Sequence, residues 1–196
     1  MLLNLPNLLT YLRMILIPML VVSYYLPYRH AHVLATTLFV LAGITDWLDG
    51  YLARKLNQSS PFGAFLDPVA DKLMVGAALV LLVADEQVHA QVLDSRLFAI
   101  VVLIILGREI AVSALREWMA EAGKRSSVAV SILGKLKTIA QMVAIPFLLL
   151  GQPVFGVDLF TVGELLLYVA AALTLWSMFV YLRAAWPELV RSGSKP

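Results

Sequence analysis

The sequence predicts an all-α integral membrane protein: a bundle of six transmembrane helices preceded by a short N-terminal interfacial segment. Three observations predict it. Of the 196 residues, 61% are apolar and 14% charged, and the mean hydropathy is +0.85, whereas soluble domains carry roughly 45–50% apolar and about 25% charged residues. The apolar residues come in runs long enough to cross a bilayer, which takes about 20 helical residues. The cations gather at those ends of the runs that share one membrane face. A net charge of +2 and a pI near 8.9 are too mild to imply nucleic acid as a partner. The absence of cysteine excludes a disulfide framework and a thiolate metal site.

In chain order, Asn4-Leu5-Pro6-Asn7 forms the interfacial segment and residues 8–26 the first span. Arg13 interrupts that apolar run and no small-residue cleavage site follows it, so the run is expected to be a retained helix rather than a secretory signal. Pro27-Tyr28-Arg29-His30 closes it. The second span is 33–53, ended by the polar stretch 57–61, and the third is 65–84, ended by Asp85-Glu86-Gln87. The fourth is 97–118, the fifth 128–150, ended by Gly151-Gln152-Pro153, and the sixth 162–181. Residues 1–190 therefore form a single membrane domain, and 191–196 a short polar tail expected to be disordered.

An even number of spans puts both termini on one side. All but Arg29 and Arg96 of the 15 lysines and arginines fall at the face of the termini, the second-to-third loop and the fourth-to-fifth loop. The positive-inside bias makes that face cytoplasmic. Trp118, Trp176, Tyr181 and Trp186 lie near the expected interfaces and read as anchors. Asp85, Glu86, Asp94 and Asp158 fall at the opposite face, as solvated loop residues, and His30, His32 and His89 lie there too, apart from any acidic cluster.

Four carboxylates at or near membrane depth stand out in 46–71. Each costs about 2.5–3.5 kcal/mol at a helix centre, and less near an interface. Asp46 and Asp49 are spaced i, i+3 and Asp67 and Asp71 i, i+4, so each pair lies on one face of its own helix, and a short turn between the helices lets the two faces meet. Any one aspartate alone could cap a helix or pair with Arg54, Lys55 or Lys72. The four together, interleaved with glycines, call for cations between them, and oxygen-only ligation suits hard ions such as Mg²⁺ or Mn²⁺. Two such ions about 3.5–4 Å apart stabilise the attacking and leaving oxygens of phosphoryl chemistry. Gly50 and Gly63 would let a bulky ligand approach the backbone, Ala53 keeps the same face low, and Arg54 reaches a phosphate or a carboxylate.

A second, cationic cluster comprises Arg108, Arg116, Lys124, Arg125, Lys135 and Lys137. Arg116 lies two turns beyond Arg108 on nearly the same face, and Lys135 shares a stripe with Ser131 and Thr138. Such a pocket suits an anionic, phosphate-bearing molecule. Lys124 and Arg125 occupy a turn where the positive-inside bias already predicts cations, so topology and binding remain alternatives for them. Glu109 is expected to orient Arg108 or Arg116 by an ion pair.

The pattern D-x-x-D-G-x-x-A-R, eight residues, then G-x-x-x-D-x-x-x-D, filled from Asp46 to Asp71, resembles the signature of the CDP-alcohol phosphatidyltransferase family. The resemblance implies that Asp46, Asp49, Asp67 and Asp71 hold two divalent metals, that the CDP donor lies against them, and that Asp71 is the general base. P-N-x-L-T-x-x-R at 6–13, G-R-E-I at 107–110, A-L-R-E-W at 114–118 and G-K-x-K-T-x-x-Q at 134–141 resemble the bacterial branch of the family that forms phosphatidylglycerophosphate. For that branch the resemblance implies CDP-diacylglycerol as donor, glycerol 3-phosphate as acceptor, a homodimer in the inner membrane and a cytoplasm-facing site. Serine, inositol phosphate or another phosphatidylglycerol are alternative acceptors for the same chemistry. A divalent-cation transporter would also bury aspartates, but it predicts a matching acidic site or an inverted repeat toward the other face, and the sequence has neither.

Overall fold

A computed structural model of the chain describes residues 5–56, 61–121 and 132–192. Seven helices make up almost all of them: α1 (Leu5–Tyr24), α2 (Ala31–Leu56), α3 (Pro61–Ala84), α4 (Glu86–Gln91), α5 (Ser95–Glu121), α6 (Ile132–Leu150) and α7 (Leu159–Ser192). No β-strand occurs among the described residues. An isolated bridge between Val154 and Val157 closes a tight turn in which Phe155 and Gly156 both take positive φ.

Each of the six expected spans corresponds to one long helix, and α1, α2, α5 and α7 are long and apolar enough to cross a membrane. The other two are less clear by that measure. Asp67, Asp71 and Lys72 sit within α3, and the apolar part of α6, Leu136–Leu150, is shorter than a bilayer requires.

Three boundaries differ from expectation. Leu5, Pro6 and Asn7 are not a separate interfacial segment but the first turn of α1, where proline's missing N–H costs nothing, and Asn7 is buried. α4 occupies part of the connection after Asp85 that was read as loop. α7 runs on past Tyr181 to Ser192, so the first two residues of the expected tail are helical, while 193–196 lie outside the described residues.

Asp94 and Asp158 are exposed, as expected, and with the half-buried Asp85 they also cap helices. Asp85 accepts from Gln87 N at 2.8 Å and from the Tyr24 hydroxyl at 2.6 Å. Asp94 accepts from the N–H groups of Leu97 and Arg96, and those bonds hold its carboxyl below the ordinary range. Asp158 is lowered in the same way, chiefly by the Thr161 hydroxyl at 2.6 Å. Each satisfies N–H groups that a helix start leaves without partners.

Within the bundle α1 packs on α2 and α3, α6 on α2 and α7, and α5 on α7 and α3. The core is aliphatic and aromatic, with Leu20, Phe39, Leu79, Phe98, Ile105 and Leu167 almost fully enclosed. Large apolar side chains also face outward, Leu103 and Ile110 at 69% exposure each, as expected where the surroundings are lipid. In lipid, close packing rather than apolar burial holds helices together, and Gly163 provides it. A β-carbon there would lie 2.9 Å from Phe147 Cβ and 3.0 Å from the Ala144 carbonyl, so only glycine allows α6 and α7 to approach this closely.

Candidate active site

The i, i+3 and i, i+4 spacings turn both aspartate pairs toward α1, which contributes a pair of its own, Thr10 and Arg13, also three apart. Arg13 is 1% exposed, and its guanidinium bridges the two α2 carboxylates: Nη1 lies 2.5 Å from Asp46 Oδ1, and Nη2 donates to Asp49 Oδ2. The Thr10 hydroxyl donates to Asp67 Oδ1 at 2.7 Å and lies 3.5 Å from Asp49 Oδ2. Asp49 is buried, Asp46 half-buried and Asp71 exposed. The charges of Asp46 and Asp67 act on Asp49, and that of Asp46 acts on Asp71, so the four carboxylates share one electrostatic neighbourhood. Neither Thr10 nor Arg13 was singled out as an aspartate partner from sequence. The signal was a charge inside an apolar run with a hydroxyl one turn before it.

Arg54 makes no ion pair among the described residues. Its guanidinium lies 3.6 Å from where a β-carbon on Gly50 would stand, so it covers the glycine face expected to receive a ligand. Trp47 stacks on Tyr51 with ring centroids 5.8 Å apart, and Lys55 Nζ sits 5.5 Å from the Tyr51 ring. Together they form an aromatic and cationic surface at the end of α2.

The second cluster is built on α5, α6 and α7. Arg108 is 9% exposed, with Nη1 donating to Glu109 Oε1 at 3.0 Å and Nη2 to Ser177 Oγ at 3.3 Å. Lys137, buried, donates to the same Glu109 oxygen. Glu109 thus links the two cations, as expected for Arg108, and pairs with Lys137 as well. Arg116 lies on α5 and Lys135 on α6, but their side chains, like Lys124, Arg125 and Ser131 altogether, lie outside the described residues.

A cavity of about 290 Å³ joins the two clusters. Asp71 and Lys72 of α3, Glu109 of α5, and Thr138 and Gln141 of α6 supply its polar lining. The charge of Glu109 is felt at Asp71. A molecule in this cavity therefore meets Asp71 and Lys72 on one helix and, on another, Glu109, the carboxylate to which Arg108 and Lys137 donate.

In charge and donor chemistry the aspartates fit a hard divalent cation. Asp46 and Asp49 share the Arg13 guanidinium, Asp67 and Asp71 lie on the adjoining helix, and every donor is oxygen. In position Arg13 intervenes: among the described residues no three carboxylate or imidazole groups converge closely enough to share an ion. His32 and His89 contact backbone carbonyls instead, at 3.2 and 2.6 Å.

Residues 3–176 match the model of the family described as CDP-alcohol phosphatidyltransferase. A CDP-diacylglycerol–glycerol-3-phosphate 3-phosphatidyltransferase of Pseudomonas fluorescens is 51% identical over 98% of this chain and 95% of its own length. Proteins of the same name from Salmonella choleraesuis and Pectobacterium atrosepticum are 53% and 51% identical, each over 95% of this chain and 97% of their own. With the aspartate signature placed on two adjoining helices beside a cavity, and relatives this similar along nearly their whole length, the chain belongs to the CDP-alcohol phosphatidyltransferase family.

Proposed function

We propose that the chain transfers the phosphatidyl group of CDP-diacylglycerol to glycerol 3-phosphate, giving phosphatidylglycerophosphate and CMP, the first step toward phosphatidylglycerol and cardiolipin. The single observation that carries this is the cavity bounded by Asp71 on one side and by Glu109, with Arg108 and Lys137 attached, on the other. The names of relatives about 50% identical agree with it.

In this reading the acceptor hydroxyl attacks the phosphorus that carries the diacylglycerol, the bond to CMP breaks, and Asp71 takes the hydroxyl proton. Asp71 is suited to that role because it is the exposed member of the aspartate set and faces the cavity. Asp46, Asp49, Asp67 and Asp71 hold divalent ions, Mg²⁺ or Mn²⁺ and two per site. Bound there, the ions supply neutralisation of charge on the diphosphate. Gly50, Ala53, Arg54 and Gly63 line the donor side with Asp46, Asp49 and Asp67. Arg108, Arg116, Arg125, Lys135 and Lys137 form the acceptor-phosphate side, where arginine can grip phosphate through two hydrogen bonds.

The same reading takes all six long helices as spans of one membrane domain over 1–190, with 191–196 as its tail. Both termini and the site face the cytoplasm of a bacterial inner membrane, and the protein works as a homodimer. Charge on α3 is tolerated because Asp71 and Lys72 line the cavity, and that of Lys137 on α6 because Glu109 pairs with it.

The test is acceptor choice. Purified protein given CDP-diacylglycerol and Mg²⁺ or Mn²⁺ is expected to release CMP when glycerol 3-phosphate is added, and not with serine or inositol phosphate. Turnover with either of those and none with glycerol 3-phosphate would overturn the acceptor assignment.

A further inference from the structure

The buried guanidinium of Arg13 occupies the middle of the acidic cluster. Removing a charge from water costs several kcal/mol unless partners restore the interaction, and Arg13 finds those partners in Asp46 and Asp49. Its match is incomplete: Nε is buried with no hydrogen-bond partner among the described residues. A guanidinium serving only as a brace between α1 and α2 would be expected to have its fork filled. The Thr10 hydroxyl holds Asp67 beside this pair, and Asp71 opens to the cavity.

We propose that Arg13 is the resident counter-cation of the aspartate cluster: it holds Asp46 and Asp49 together in the metal-free protein and competes with divalent ions for the same carboxylate oxygens. The proposal rests on the reading that these aspartates ligate metal. The oxygens that Arg13 contacts, Asp46 Oδ1 and Asp49 Oδ2, are taken while it holds them, and a divalent ion on the remaining oxygens would lie a few ångströms from the guanidinium and be repelled by it. Ion binding is therefore weakened for as long as the guanidinium keeps both carboxylates. The competition gives the empty site a stable arrangement, sparing it the repulsion of bare carboxylates, and sets how tightly the ion is held.

The test uses the full chain in detergent and Mn²⁺ alone as probe, with free ion read by its electron paramagnetic resonance signal. Arg13→Gln is expected to bind Mn²⁺ roughly tenfold or more tightly than the unaltered protein, since a competing positive charge is gone. It is also expected to melt at a lower temperature in chelator, with that deficit shrinking at saturating Mn²⁺. A purely structural arginine predicts the reverse, unchanged or weaker Mn²⁺ binding and a deficit of equal size with and without metal, and that result would overturn the proposal. Should Arg13→Gln not fold, Arg13→Lys decides: its ammonium keeps the charge but cannot fork across two carboxylates, so Mn²⁺ binding is expected to tighten by a smaller factor, and no tightening would count against the idea. Asp46→Asn and Asp49→Asn separate the two levels. Both should lose Mn²⁺ binding, and if both bind it as the unaltered protein does, the metal-site reading itself fails.

Discussion

The two polar regions of the bundle solve the problem of buried charge in opposite senses. Around α1, α2 and α3, the buried guanidinium of Arg13 bridges Asp46 and Asp49, with Asp67 and Asp71 on the neighbouring helix, and in the proposed reading a cation completes the region. Around α5, α6 and α7, Arg108 and Lys137 both donate to Glu109, and in the proposed reading an anion completes the region. In each region one residue bridges two of opposite sign: Arg13 in the first, Glu109 in the second. The cavity between them meets both, at Asp71 and at Glu109.

The largest effect is expected on the acidic side. Asp71→Asn keeps the size of the side chain and removes its ability to take a proton. CMP release should fall about 10²–10⁴-fold, the usual contribution of a general base, with the protein still folded and membrane-inserted. Turnover like that of the unaltered protein would break the assignment of Asp71 and leave the acidic side a binding site only.

Next comes the bridging residue of the basic side. Glu109→Gln leaves Arg108 and Lys137 without their shared counter-charge, and a buried pair broken from one side costs about 3 kcal/mol. A lowered melting temperature is expected, with recovery when inorganic phosphate or glycerol 3-phosphate is added as a substitute anion. Loss of stability that neither anion repairs would show that Glu109 braces the helices rather than balancing a binding site.

Gly163→Ala sharpens the comparison by altering neither region's charge. The added methyl would fall within 3.0 Å of α6 atoms, and overpacking of this kind costs about 1–3 kcal/mol. Thermal stability should fall while CMP release per folded molecule is kept. A fall in turnover at constant stability would mean that the α6–α7 contact itself sets the geometry of Lys137.

Much of the fold was legible because membrane spans advertise themselves by length and apolarity. What escaped were elements too short for periodicity, such as the six-residue α4, and aspartates whose roles are local. Asp85 ahead of Glu86, and Asp158 three residues before Thr161, carry cap signals that a hydropathy reading passes over. The four aspartates were legible because their spacing places them on common faces. Arg13 and Thr10 were not, because their partners lie 36 and 57 residues along the chain and only the packing of α1 on α2 and α3 brings them together. A lone arginine in a first span reads naturally as a topology signal. Glu109 was placed correctly beside Arg108, its sequence neighbour, whereas its bond to Lys137 spans 28 residues and needed the fold.

The division of labour between the two regions is most directly tested by steady-state kinetics of Lys137→Met, with each substrate varied in turn. The account predicts a raised KM for glycerol 3-phosphate, by roughly tenfold or more for a lost charge-assisted contact, and an unchanged KM for CDP-diacylglycerol. A raised KM for the donor with the acceptor unaffected would contradict it, placing the basic cluster on the nucleotide side of the reaction.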